Sequence, residues 1–295
     1  GLTSLKEQRS KAEGKKARAG EDTPYPSWES LRREDREEPP SVMLTIRDSA
    51  GNVMQRIDAP AGKGYQRVAW NMRYPAPNPV NLKPKNGRAP WESAAKGPMV
   101  LPGVYSVTLS QRVEGQYQDI AGPQQLQLKP LFSGGLVTEN RSELLEFQQK
   151  TADMYRAVMG AGRAAGEIDG RIDHMIKAVS DTPGSSEAHA SALRGLKARM
   201  QDLKVRLDGD STVSSRAEPV PLALSGRVST IAYGTWNSQS GLAGNFTDSY
   251  DVAAAQLPAV LAELKAVESE LAALEAELEA EGAPWTPSRI PDWQP

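Results

Sequence analysis

The chain has 295 residues, with 35 Lys and Arg set against 37 Asp and Glu and a net charge of −2. That length suits about two domains, and the charge balance lacks the basic excess that nucleic acid or an anionic membrane demands. Cysteine is absent, which excludes disulfides, thiolate metal sites and a Cys nucleophile.

Residues 1–40 mix charges of both signs with few apolar residues, and "EDTPYPSWES" punctuates them with proline. Such composition buries little surface and predicts a linker with a short helix from Ser4 to Arg18. Tyr25 and Trp28 are placed to pin this tail onto a domain. The opening "GLTSLKEQRS" has no apolar core of a signal peptide, and its start without Met suggests a piece of a longer protein. No run approaches the roughly 18–20 apolar residues of a transmembrane helix.

Residues 41–132 alternate with a period of two. "VMLTIRD", the turn "DSAGN" and "VMQRID" predict a hairpin. "GYQRVAWNM" reads as the next strand, followed by a Pro-rich excursion, "PGVYSVTLSQRV", the turn "EGQ", "YQDI" and "QQLQLK". About six or seven short strands predict an immunoglobulin-like (fibronectin III-like) β-sandwich. In it, Trp70 shares a core face with Val68, and Met72 continues that face. Asn71 and Arg73 tie adjacent loops, and Tyr74-Pro75 ends the strand. In "VYSVTLS", Tyr105, Val107 and Leu109 point inward, while Val104, Ser106, Thr108 and Ser110 point outward.

Residues 136–282 switch to a period of 3.6. Leu144, Phe147, Tyr155, Val158, Ile168, Ile172, Met175 and Val179 mark one long helix, and Leu193, Leu196, Met200, Leu203 and Leu207 mark a second. A third is expected from about Pro221 to Trp236. In the fourth, Leu257, Val260, Leu264, Val267, Leu271, Leu274 and Leu278 form a heptad seam. The expected architecture is an antiparallel bundle of about four helices, followed by a Pro/Trp-rich tail at 283–295 that docks through Trp285 and Trp293.

Motifs with chemical potential are sparse. "GAGRAAG" lacks the preceding strand and helix start that a dinucleotide fingerprint needs; Gly162, Gly166 and Gly170 instead suit close approach of another helix. Asp169 and Asp173 lie one helical turn apart beside His174, a weak metal set on a face read as solvated, with Lys177 as the partner of Asp173. His174 and His189 are the only histidines, and no nucleophile elbow accompanies them. "NRS" and "NFT" match glycosylation sequons, the second also reading as a helix cap at Asn245 or Thr247. No catalytic residue, cofactor or metal is assigned. The aromatics Trp91, Tyr74, Tyr233 and Trp236 are the candidate ligand or interface residues.

"TPYPSWESLRREDREEPP", "LTIRDSAGNVMQRI", "VAWNMRYP" and "GPMVLPGVYSVTLS", taken in that order and continuing loosely to "GAPWTPSRIPDW", carry a resemblance across nearly the whole chain. It resembles the C-terminal region of bacterial sortilin-like (VPS10-like), or BNR-repeat glycosyl-hydrolase-type, proteins. The resemblance implies an upstream β-propeller in the same polypeptide and a periplasmic or secreted setting; Trp70, Arg73, Pro102, Gly103 and Tyr105 are read as structural residues. The Asp-box repeats of such propellers are missing here, so no catalytic residue carries over.

Three function classes follow. The first is a non-catalytic accessory module for propeller packing or assembly, including a homo-oligomer through the helices. The second binds a glycan or peptide through the loop aromatics. The third is a hydrolase with an acidic pair at the sandwich–bundle junction.

Overall fold

The computed structural model describes residues 2–82, 94–131, 137–138, 140–291 and 293. They divide into two compact units, one of Gly1–Pro75 with Met99–Gly134 and one of Ala76–Pro98 with Gly135–Pro295. The class is mixed: a four-stranded antiparallel sheet in the first unit, and helices in both. Among the described residues, no helix is long and apolar enough to cross a membrane.

The first unit opens with the expected helix, α1 (Leu5–Ala19), and adds a second, α2 (Trp28–Arg36), where the sequence predicts only linker. Ser4 caps α1 by accepting from Glu7 N, and Gly20 ends it at φ 73°, the left-handed conformation that glycine adopts without a Cβ penalty. Neither helix buries a residue, so the pair is held by charge. The Arg9 guanidinium forks onto Glu34 at 2.7 and 2.9 Å, and Leu5 N donates to Glu37 at 2.8 Å. Tyr25 and Trp28 are 75% and 69% exposed and lie against each other at 5.8 Å.

The sheet runs β1 (Ser41–Arg47), β2 (Val53–Ala59), β3 (Gly103–Val113) and β4 (Gln116–Leu128), in the spatial order β2-β1-β3-β4. The β1–β2 hairpin forms as its turn residues dictate. Asp48 accepts from the Asn52 amide side chain and from the backbone N–H groups of Ala50 and Asn52, and these bonds, led by that from the Asn52 side chain, hold its carboxyl below the usual range.

Where two layers of strands were expected, one sheet forms among the described residues. Its apolar face buries Ile46, Met54, Val100 and Tyr105, with Trp70, Tyr74, Val107, Leu126 and Leu128 packed against them. The covering layer is irregular. "GYQRVAWNM" makes no strand; its two ends, Gly64 at φ 97° and Met72 at φ 56°, leave the extended region, and the neighbouring Arg73 makes an isolated bridge to Met99. Met72 is 43% exposed instead of continuing the core face.

"YQDI" and "QQLQLK" merge into β4, whose Pro123 is tolerated because an edge strand needs no N–H on its free side. Gly122 has φ 105°, and a Cβ there would lie 2.8 Å from the Val107 carbonyl oxygen. The register shifts opposite it, between Val107 and Ser110. Ser110, expected outside, is buried and donates to Asp119 at 2.7 Å.

The second unit holds α3 (Arg141–Asp181), α4 (Glu187–Asp208), α5 (Ser211–Ser214), α6 (Leu224–Trp236) and α7 (Gly244–Ala280). The predicted stripes are the core: Val158, Ile168, Ile172 and Met175 of α3, Leu193 to Leu207 of α4, and Leu257, Val260, Leu264, Val267, Leu271 and Leu278 of α7 are buried together. Asn140 caps α3. At α7, neither Asn245 nor Thr247 caps: the N-cap is Ala243 without a side-chain bond, and the Thr247 hydroxyl donates to Gly244 O.

The helix directions differ from an up-and-down set of four. Phe147 meets Tyr250 and Arg171 meets Glu275, so residue numbers rise together and α3 runs parallel to α7. α4 runs against both, with Lys197 and Lys204 on Asp169, and Arg199 on Glu263 and Glu270. α6 continues in the direction of α4: a Cβ at Gly209, just after α4, would touch Ala223 at 3.8 Å, and Trp236 at the far end of α6 meets Tyr155. The expected third helix therefore extends the column that α4 begins.

Candidate functional site

Of the aromatics singled out from sequence, Tyr74 belongs to the sheet unit and Tyr233 and Trp236 to the helix unit. In the sheet unit, Trp70 meets Tyr105 edge-on at 5.3 Å, and the Tyr105 hydroxyl donates to Leu101 O at 2.6 Å. Tyr74 packs against the same core. Pro102 and Gly103 lead into β3, and Arg73 N donates to the Asn71 side chain at 3.1 Å. Burial lowers the Arg73 pKa from its ordinary value. In the helix unit, Trp236 is 6% exposed and Tyr233, three residues earlier on α6, is 79% exposed. Trp91 lies outside the described residues.

Charge organises the helix unit. The Asp169–Asp173 face, expected to be solvated, grips α4: Lys197 reaches both carboxylates at 2.7 Å, and Lys204 reaches Asp169 at 2.9 Å. Burial alone would raise the Asp169 pKa, but the hydrogen bonds from Lys197 and Lys204 outweigh it and hold the carboxyl below the usual range. Burial would likewise lower Lys197, and Asp169 and Asp173 reverse the sign. Lys177 pairs with Asp181 and not with Asp173. The His174 ring bonds to Gly170 O on its own helix.

The most enclosed pair escaped the sequence reading. Glu275, on the inner face of α7, is 4% exposed and takes two bonds from Arg171, at 3.1 and 2.6 Å. The signal was present: Glu275 follows Leu271 by four residues and precedes Leu278 by three, which places a carboxylate on the apolar seam. The tail docks, but not through its tryptophans. Trp285 and Trp293 are 59% and 81% exposed, whereas Thr286 is buried. Arg289 donates to Glu275 O at 2.7 Å and to Glu279 at 3.0 Å.

One groove, of about 600 Å³, lies on the helix unit, lined by Asn78, Met159, Gly162, Arg163, Glu167 and Asp208 among others. Of the glycines expected to admit a neighbouring helix, Gly162 and Gly166 line this opening instead. A Cβ at Gly166 or Gly170 would meet nothing within 4 Å, and one at Gly162 would only touch the Asp208 carboxylate at 3.7 Å.

These charges are arranged to join helices, since each perturbed group in the helix unit's ion pairs meets an opposite charge on another element. Among the described residues, no group of three His, Cys, Asp or Glu side chains could hold a metal ion. Comparison with protein-family models, curated proteins and solved structures finds no match to the chain.

Proposed function

We propose that this chain is a non-catalytic accessory module that packs against or assembles with an upstream β-propeller of a sortilin-like, BNR-repeat type protein, in a periplasmic or secreted setting. In this reading the sheet unit stands for an immunoglobulin-like sandwich and the helix unit for a bundle. The observation that carries the non-catalytic part is the use of the helix unit's enclosed charges. Arg171–Glu275, Asp169–Lys197 and Arg289–Glu279 each bridge two elements, so their charge is spent on holding the fold. Perturbed groups in an active site would instead converge on a cleft. The propeller part rests on the sequence resemblance. Its test is a pull-down of the separately produced upstream region by this chain: retention through washing is expected, and its absence would refute the assembly role.

One observation favours a second reading, a glycan- or peptide-binding module. The groove presents Asn78, Arg163, Glu167 and Asp208 beside the apolar Met159, a mixture of hydrogen-bonding and apolar groups that suits such ligands. Binding on a glycan and peptide array that is lost in Arg163→Ala would favour it over the assembly role.

A further inference from the structure

The last turns of α7 carry Glu275, Glu277, Glu279 and Glu281. Carboxylates at a helix C-terminus oppose the macrodipole, so a nearby cation stabilises each of them. Arg171 of α3 holds Glu275, and Arg289 of the tail holds Glu279. For Glu277 and Glu281 the facing group is His189, whose Nε2 lies 3.6 Å from Glu277 and whose Nδ1 lies 3.6 Å from Glu281. Two of the four carboxylates thus face a group that carries charge only when protonated.

The same ring has a second task. His189 is the third residue of α4, where a capping box ordinarily places Glu or Gln. Its Nδ1 accepts from Ser186 N at 3.3 Å, while Ser186 Oγ accepts from His189 N at 3.3 Å. That cap requires a lone pair on Nδ1 and therefore the neutral ring. Protonation removes the acceptor from Ser186 N. The new Nδ1–H finds Ser186 Oγ at 3.3 Å and Glu281 at 3.6 Å, and the positive ring then faces Glu277 and Glu281 together. Glu277 and Glu281 are the charged groups facing the ring from α7. Among the described residues no charge on α3 or the tail pairs with it, and on α4 its bonding partner is Ser186. The side chain is 13% exposed, enough for proton access and enclosed enough for both sets of contacts to count.

We infer that His189 is a proton-operated clasp: neutral, it holds Ser186 N at the start of α4, and protonated, it releases that N–H and fastens the end of α7. This goes beyond the accessory role and does not depend on it.

The test is amide hydrogen exchange of the full chain by NMR from about pH 8 to about pH 5, across which imidazoles as a class change charge, corrected for intrinsic exchange. As the pH falls, protection at Ser186 is expected to fall roughly 2- to 10-fold, the effect of one lost hydrogen bond. Protection at Glu281, Gly282 and Ala283, whose N–H groups close the end of α7 on Glu277, Glu279 and Leu278, should rise by a similar factor. In His189→Gln, whose amide oxygen can keep the cap but cannot take a proton, both ends should stay constant. A flat profile in the wild type, a change at one end alone, or the same changes in His189→Gln would overturn the clasp.

Discussion

Replacing Glu275 with Ala removes one partner of the most enclosed ion pair. Arg171 is 17% exposed and would keep only Glu268, at 3.9 Å and itself 58% exposed. Losing one member of a buried pair costs about 3–5 kcal/mol because the other charge stays desolvated; the partial exposure of Arg171 brings this to about 2–4 kcal/mol. At about 2–4 °C per kcal/mol for a unit of this size, the melting temperature should drop by about 5–15 °C, read by circular dichroism at 222 nm. The reasoning separates the pair from its burial, so Arg171→Met with Glu275→Leu should recover most of the loss, since an apolar pair of similar volume avoids the desolvation cost. A double-mutant cycle then gives a coupling above about 1 kcal/mol. A loss under about 1 kcal/mol in Glu275→Ala, or a double variant no better than the single ones, would refute the claim that this pair locks α3 to α7.

Asp169, held below its ordinary range, binds protons less readily folded than unfolded. Its contribution is therefore complete above about pH 4 and lost as pH falls through the lower folded value; Asp169→Asn should cost about 1–2 kcal/mol at neutral pH and converge with wild type under acid, as urea melts at several pH values will show. Gly122→Ala forces a side chain to φ 105° and against the Val107 carbonyl and should destabilise by about 2 kcal/mol or more, whereas Gly166→Ala, with open space around it, should stabilise α3 by about 0.5–1 kcal/mol. Equal effects in a thermal melt would contradict the open groove. Arg289→Ala should free the tail, seen as cleavage near Trp285 roughly fivefold faster in limited proteolysis, at a cost of about 1–2 kcal/mol.

Legibility in the sequence followed burial. The stripe from Leu257 to Leu278 and that from Leu144 to Val179 were readable because each apolar side chain falls on one face, and the core confirms them. Direction was not, since periodicity says which face is inside and nothing of which neighbour lies there. α6 was read as a third column of its own, although the chain from Gly209 to Ala223 only carries the α4 column onward. Alternation misled at "GYQRVAWNM", where the left-handed Met72 contradicts a pattern that sequence alone supports. "YQDI" and "QQLQLK" read as two strands, yet they form one edge strand that accepts Pro123 between them. α1 was readable, but α2 and its pairing with α1 were not, because the contacts between them are ionic, Arg9 to Glu34, and ionic contacts leave no hydrophobic period. Of the candidate site, the Asp169–Asp173 face was visible but its partners on α4 were not, and Glu275 was overlooked for the leucines around it.

The accessory role is tested most directly by melting this chain alone and in a mixture with its separately produced upstream region. The account predicts a gain of several degrees that grows with the concentration of the added region, as stabilisation by a partner of the native state must. Superimposable melts at saturating concentration would contradict it.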